Sequence, residues 1–260
     1  MSDSSASQAL INVIDHEASI REIRLARPPA NAINPALVAS LNAALDEAIN
    51  DKMAGVIMTG APGLFSAGLD VPELLTLDET GMRGFWSEFF ALLKRVAQYP
   101  VPLVAGLTGH SPAGGTVIAL YADYRIQARG PYQLGLNEVQ VGLVVPPVIH
   151  QALVRLIGAY RAERHLVAGQ MISVDQAQAI GLVDEVVDPD QVTPRALEWL
   201  KTHLQMPRKA LLTTRAICRA ELAQGFDAPG AMDLDRFVEG WFSEETQKTM
   251  QALVAKLQKG

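Results

Sequence analysis

The sequence is short of cysteine, of charge and of long apolar runs, and each shortage closes off a class of protein. Cys218 is the single cysteine, so neither an intramolecular disulfide nor a cysteine-rich zinc site can form. A lone thiol of this kind is expected to fill a small core position. Charged residues are 19% of the chain, and 22 Lys+Arg against 28 Asp+Glu leave a formal net charge of -6. That is the wrong sign for a nucleic-acid binder, although it leaves room for a local basic patch that meets a phosphate. No apolar run approaches the ~18 residues of a membrane span. The start, Met1 to Ser5, is polar and slightly acidic, and has neither an Arg-rich presequence nor the apolar centre of a signal peptide. The end, Lys256 to Gly260, is not a peroxisomal address. A soluble cytoplasmic protein is the simplest expectation. His16, His110, His150, His165 and His203 are scattered, so no metal set is expected. No phosphate-binding loop of Walker type, no dinucleotide fingerprint and no zinc-protease helix occurs.

What is present is a chain of 260 residues, 49% of them hydrophobic, long enough for one α/β domain with a substantial core. Residues 1–9 read as a Ser-rich tail. Leu10–Asp15 and Ile20–Ala26 read as a hairpin across His16–Ser19. Asn34 followed by Pro35 is a helix start, and Leu37, Leu41, Ala44, Leu45, Ala48 and Ile49 follow at helical spacing. Met53–Thr59, Leu103–Leu107 and Tyr124–Ala128 read as buried strands, with mostly helix over Glu73–Gln98 and Thr116–Tyr121. Gly109–Gly115 reads as a loop. Strand, glycine-containing loop and helix thus recur, the mark of an α/β fold. Helices are expected over Val148–Ile157, Arg161–Ala168 and Val174–Ile180, then a strand over Leu182–Val187. After Pro189 the chain reads as helix throughout, over Val192–Gln205, Arg208–Ala223 and Glu244–Lys259. An α/β core over residues 10–190 and a helical region over 191–260 is the expected division.

Gly109-His110-Ser111-Pro112-Ala113 comes near the nucleophile elbow of serine hydrolases. An elbow takes an oxyanion donor from the N–H after the serine, and Pro112 has none. Ser111 is therefore expected to be a turn residue. Two other features carry more chemistry. Leu64–Asp70 and Ser111–Gly115 are small-residue loops directly after buried strands, where main-chain N–H groups can face a ligand, the second beside a helix start. Two such donors aimed at one point form an oxyanion hole; the alternative is two packing turns. The third feature is Glu138, within Gly135–Leu143. From Gly130 to Val154 only Tyr132 and His150 are otherwise ionisable. A carboxylate in apolar surroundings has a raised pKa and suits proton transfer near neutrality; the alternative is an ordinary glutamate at a helix start.

Taken in order, these motifs resemble the crotonase (enoyl-CoA hydratase/isomerase) superfamily. Phe65–Asp70 resembles its first oxyanion loop, Gly109–Gly115 its second, and Asp123-Tyr124-Arg125-Ile126 the strand that follows. The resemblance spans residues 10–187, with a helical match beyond. Within it, Gly109–Gly115, Ala119-Leu120, Asp123–Ile126 and Gly135–Glu138 are similar to the wording of the mitochondrial-type Δ3,Δ2-enoyl-CoA isomerases, as is the stretch from Phe237-Val238 through Gln247-Lys248 to Lys259-Gly260. Hydratases of the superfamily use two glutamates; here the first of those positions is Val117 and the second Glu138.

The resemblance implies a crotonase-like spiral of ββα units with a helical C-terminal region, and a homotrimer or dimer of trimers assembled through it. It implies Glu138 as the base and the N–H groups of Leu69 and Gly114 as oxyanion donors. Ala67, Gly68, Asp70, Val71 and Asn137 are implied around an acyl-CoA substrate, with no separate cofactor. Lys248 and Lys256 are candidates for the CoA phosphates, with an ordinary solvated helix face as the favoured alternative. Phe85, Trp86, Phe89 and Phe90 are expected either to line an acyl tunnel or to be core. The rival readings are another acyl-CoA reaction on the same fold (lyase, hydrolase or decarboxylase), a dienoyl-CoA isomerase, a non-catalytic acyl-CoA-binding protein, and a serine hydrolase using Ser111.

Overall fold

The computed structural model describes residues 9–257. The expected N-terminal tail, apart from Ala9, and the last two residues of the expected final helix, Gln258 and Lys259, lie outside them. The chain opens with the anticipated hairpin: β1 (Ile11–His16) and β2 (Ile20–Leu25) pair antiparallel, Ile11 opposite Leu25 and His16 opposite Ile20. Helix α1 (Pro35–Asn50) starts where the Asn34-Pro35 signal places it; the Asn34 side chain accepts from the Leu37 N–H at 2.8 Å. Such a cap is worth about 1 kcal/mol. After it come β3 (Gly55–Thr59), β4 (Gly63–Leu64), α2 (Val71–Leu74) and α3 (Glu79–Ala97). Then follow β5 (Leu103–Leu107), β6 (Gly109–Pro112), α4 (Gly114–Leu120), β7 (Tyr124–Ala128) and β8 (Gln133–Gly135).

Two sheets result. The larger has the order β1-β2-β3-β5-β7 and ends on β10 (Glu185–Val187); from β2 onward its pairs are parallel. Every residue of β3 and β5 is buried, which is why both read as unbroken small and apolar runs rather than alternating ones. One face of the sheet, including Ile23, Val56, Met58 and Leu103, packs into the main core with α1 and α3. The second sheet, β4-β6-β8-β9, with β9 at Met171–Ser173, is built from strands of two to four residues. The sequence reading missed it. It took Gly109–Gly115 as a loop and Ser111 as a turn residue, whereas Ser111 lies in β6, opposite Leu134 of β8, and is fully buried. Runs this short and rich in glycine carry no strand periodicity.

Between β8 and β10 lie a 3-10 turn (Glu138–Val141), α5 (Pro147–Ile157), α6 (Ala159–Ala168) and α7 (Val174–Ile180), close to the expected helices. Beyond β10, α8 (Val192–Leu204) lays Val192, Ala196 and Leu200 on Ile20, Ile57, Val104 and Ile126, covering the other face of the large sheet. The expected Arg208–Ala223 helix is broken into α9 (Arg208–Cys218) and α10 (Ala220–Gln224) at Arg219. There a buried guanidinium donates to the carbonyls of Tyr121 (2.5 Å) and Ala97 (3.2 Å), at the ends of α4 and α3. Arg215 pairs with Asp123 at 2.8 Å beside it. Cys218 is exposed, against expectation: α9 buries none of its residues, so its last residue has no core to enter. Helix α11 (Leu234–Phe242), also missed, packs Phe237 and Trp241 on Trp86 of α3, and α12 (Glu244–Leu257) ends the described chain. The architecture is the α/β class with a helical C-terminal region anticipated above. No helix of the described residues is long and apolar enough to cross a membrane.

Candidate active site

Two main-chain segments meet at the start of α4. In the run Ala67–Val71 the main-chain donors are nearly all used internally. Ala67 donates to the Ala30 carbonyl, Gly68 to the Ser66 hydroxyl, Asp70 to the Ile33 carbonyl and Val71 to the Leu69 carbonyl. Among the described residues only the Leu69 N–H of this run finds no acceptor. The same holds one segment away: Pro112 has no N–H, Ala113 donates to the Gly135 carbonyl at 2.8 Å, and the Gly114 N–H has no acceptor among the described residues.

The two segments touch. A β-carbon built on Gly114 would lie 3.6 Å from Gly68 Cα and 3.7 Å from a Leu69 methyl. Gly68 itself has φ +86°, a conformation a side chain resists. Its neighbour across the contact, Ala113, sits at φ 46° and ψ -119°, a sparsely populated region of the kind held at ligand-binding turns.

The first segment is clamped from below by a network that sequence reasoning did not find. Asn31 donates to the Phe65 carbonyl at 3.0 Å, and the Ser66 hydroxyl donates to the Asn31 carbonyl at 2.8 Å. Arg27 pairs with Asp70 at 2.7 Å and Glu73 at 2.9 Å, and Asn34 also donates to Glu73. Asp70 accepts from the Glu73 N–H as the cap of α2. Its carboxylate is thus engaged by protein groups, so what this position offers a ligand is main chain. Val71 is buried. The partners of Asp70 and Glu73 lie about forty residues upstream, and no local spacing announces them.

Glu138 is carried to the second segment by β8. Pro112 pairs with Gly135, whose N–H donates to the Thr116 hydroxyl on α4 at 3.0 Å. Three residues on, Glu138 opens the 3-10 turn; its carbonyl accepts from the Leu143 N–H, and Asn137 precedes it as N-cap without a side-chain capping bond. The Glu138 side chain is half-buried, and its Oε2 is closed to solvent with no hydrogen-bond partner. Burial drives the pKa from 4.5 up to about 7, opposed by a hydrogen bond from its own N–H. A carboxyl group held there takes and returns a proton at neutral pH. Val117, on α4, is buried and apolar, so it supplies no second carboxylate. Among the described residues no three His, Cys, Asp or Glu side chains form a cluster able to hold a metal.

Of the other sequence candidates, Ser111 Oγ is buried with no hydrogen-bond partner, so no base activates it. His110, next to it, is exposed and accepts from the Gln133 N–H. Phe85, Trp86, Phe89 and Phe90 are all buried and stack on one another and on Phe237; they are core. Lys248 and Lys256 are exposed on α12.

The sequence model of the family described as "Enoyl-CoA hydratase/isomerase" matches residues 15–259. The chain is 33% identical over 254 residues to the human mitochondrial enoyl-CoA delta isomerase 1, covering 96% of this chain and 84% of that protein. It is 36% identical over 206 residues to a probable enoyl-CoA hydratase of Mycobacterium avium, covering 77% of this chain and 78% of that protein. The crystal structure of human mitochondrial Δ3-Δ2-enoyl-CoA isomerase superposes with a TM-score of 0.91 at 32% identity, over 96% of this chain and 99% of that one.

Proposed function

Because the chain belongs to the enoyl-CoA hydratase/isomerase family, we propose that it is a Δ3,Δ2-enoyl-CoA isomerase that converts 3-enoyl-CoA into trans-2-enoyl-CoA, a step in unsaturated fatty-acid β-oxidation. The single observation that carries this reading is one carboxylate, Glu138, whose Oε2 is closed to solvent without a hydrogen-bond partner, with a buried valine in place of a second. Water addition across a double bond uses two acid-base groups, whereas a proton moved from C2 to C4 needs one that takes it and gives it back.

The thioester carbonyl oxygen accepts hydrogen bonds from the Leu69 and Gly114 N–H groups, the two donors left free where the segments meet. Ionised Glu138 removes a C2 proton. The electron pair delocalises over the dienolate, and its charge collects on the thioester oxygen, where fixed donors stabilise it; one such donor is typically worth ~10²–10³ in rate. The same carboxyl group then protonates C4, leaving the double bond between C2 and C3. The CoA portion lies along the main chain of Ala67–Val71 beside Asn137. Lys248 or Lys256 meets its phosphates, and no separate cofactor takes part. Helix α9, which has no fully buried residue and leaves Ile217 71% exposed, supports assembly into a trimer through the C-terminal helices.

The test follows the absorbance of the conjugated thioester formed from 3-enoyl-CoA, for wild type and Glu138→Gln. Conversion by wild type, reduced by orders of magnitude in the variant, is the expected result. A folded wild type that leaves 3-enoyl-CoA unchanged overturns the assignment. A hydratase is the second reading, favoured by the similarity to the mycobacterial protein. It is separated in the same cuvette by supplying 2-enoyl-CoA and watching for loss of that absorbance.

A further inference from the structure

The direction of the free Leu69 N–H is set by a contact that belongs to neither sheet. Ile33 and Leu69 form an isolated parallel bridge, in which the Ile33 N–H donates to the Gly68 carbonyl at 2.7 Å and the Asp70 N–H to the Ile33 carbonyl at 2.9 Å. In such a pairing the polar groups of residues 68 and 70 face the partner, so the N–H of Leu69 between them faces away from it. Gly114 packs against both members of the bridge: a β-carbon built on it would lie 2.7 Å from Ile33 Cδ1 and 3.7 Å from a Leu69 methyl. The bridge in turn is held in register by its approach. The Ala67 N–H donates to the Ala30 carbonyl at 3.0 Å, the Ser66 hydroxyl to the Asn31 carbonyl at 2.8 Å, and the Asn31 side chain to the Phe65 carbonyl at 3.0 Å. Within residues 30–33 only the Asn31 contact comes from a side chain. Asn31 is buried, at φ 48°, a left-handed conformation that asparagine tolerates better than most residues. Both ends of its amide are engaged, since Oδ1 accepts from the Arg27 N–H at 2.9 Å.

We propose that Asn31 is a positioning residue for the oxyanion pair: its side-chain amide fixes the Ile33–Leu69 bridge and thereby aims the Leu69 N–H at the thioester oxygen that Gly114 also serves. This rests on the acyl-CoA reading of the site. The amide is consumed by Arg27 and Phe65, so Asn31 acts through the loop and not on the substrate. A hydrogen bond weakens steeply as its angle closes, and a misplacement of ~1 Å near reacting atoms costs ~10²-fold in rate. An oxyanion donor is worth most when the negative charge has developed, so a misdirected one lowers kcat and leaves KM near its wild-type value. A residue that only supported the fold would not separate the two constants in this way.

The experiment compares wild type with Asn31→Gly and Asn31→Asp. Glycine accepts the left-handed conformation and removes both amide contacts; aspartate keeps the acceptor for the Arg27 N–H and sets an oxygen against the Phe65 carbonyl in place of the donor. Two readouts are taken: kcat and KM on 3-enoyl-CoA, and the infrared carbonyl stretch of bound hexanoyl-CoA, a saturated thioester that does not turn over. Wild type is expected to lower the stretching frequency of the bound carbonyl. Both variants are expected to lose most of that shift while still binding hexanoyl-CoA, with kcat down roughly 10- to 100-fold and KM changed by less than about threefold. A folded variant with the wild-type carbonyl frequency overturns the proposal, whatever its turnover. So does a loss carried by KM alone, and so does failure of both variants to fold, since either assigns Asn31 to the scaffold. Because the carbonyl is read without turnover, a wild type that shifts it through Asn31 but moves no double bond keeps the positioning role and loses the isomerase reading. A wild type that does not bind hexanoyl-CoA loses both.

Discussion

The main chains of Gly68 and Gly114 approach so closely that a β-carbon on Gly68 would lie 3.5 Å from the Gly114 nitrogen. These residues come from two strand ends far apart in sequence, and β4 beside β6 brings them together, Gly63 opposite Gly109 and Leu64 opposite His110. The free N–H groups of Leu69 and Gly114 therefore share one small region, which makes them usable as a pair.

That contact leaves no room for a side chain. In Gly68→Val the new methyl groups press on Ala113 Cβ, 3.1 Å from the first added carbon, and on the Pro112 carbonyl at 3.2 Å, at a φ that valine resists. We expect kcat to fall about hundredfold with the circular dichroism spectrum retained. Wild-type kcat in the folded variant would show that the paired donors are not used.

The Glu138 carboxyl, raised to about 7 by burial, must be ionised to take a proton. The kcat/KM for 3-enoyl-CoA is therefore expected to rise with pH, bending near pH 7, and the bend is expected to be absent from the residual activity of Glu138→Gln. A profile flat from pH 5 to pH 9 in wild type would remove Glu138 as the base.

The same shift fixes the sign of a stability effect. The folded-state pKa lies above the usual 4.5, so folding favours the protonated form. That stabilisation is full below pH 4.5 and is lost as pH rises through about 7; at pH 8 the buried charge costs about 3 kcal/mol. Glu138→Gln should then have the higher Tm at pH 8, with the two proteins converging below pH 4.5. A variant less stable than wild type at pH 8 would contradict the burial argument.

Ser111 Oγ is buried without a partner, an arrangement that costs stability. Ser111→Ala should melt at the wild-type temperature or above and keep its activity. Loss of turnover would revive a nucleophilic role for this hydroxyl.

Arg219 closes the carbonyl ends of α3 and α4 and approaches Asp123 at 3.2 Å. Arg219→Ala leaves those carbonyls buried and unmet. A loss of about 3 kcal/mol is expected from the urea midpoint; a loss below about 1 kcal/mol would class the arginine as a surface group.

The contrast between legible and illegible parts follows from range. β5 and β7 fall on the expected residues, and α1 begins at its Asn34-Pro35 signal, because burial on both faces and capping are written locally. Glu138 stood out for the same reason, as an isolated charge in an apolar stretch. The small sheet was hidden because two- to four-residue strands have no period to read. The clamp of Arg27, Asn31 and Asn34 beneath Leu69 was hidden because its partners are remote in sequence. Helix α11 carries a clear apolar face, Phe237, Val238 and Trp241, and was overlooked although its signal is local.

Helix α8 has a bearing on how the molecule comes into being. It is the lid on one face of the large sheet, yet it is made after all ten strands of the described residues. A nascent chain that has delivered β10 but not Val192–Leu204 holds Ile20, Ile57, Val104 and Ile126 open to water. Synthesis proceeds at ~5–20 residues per second, so this wall stays unroofed for the seconds between the last strand and the emergence of Leu200 from the ribosome. During that interval the growing polypeptide presents this row of apolar strand residues to its surroundings.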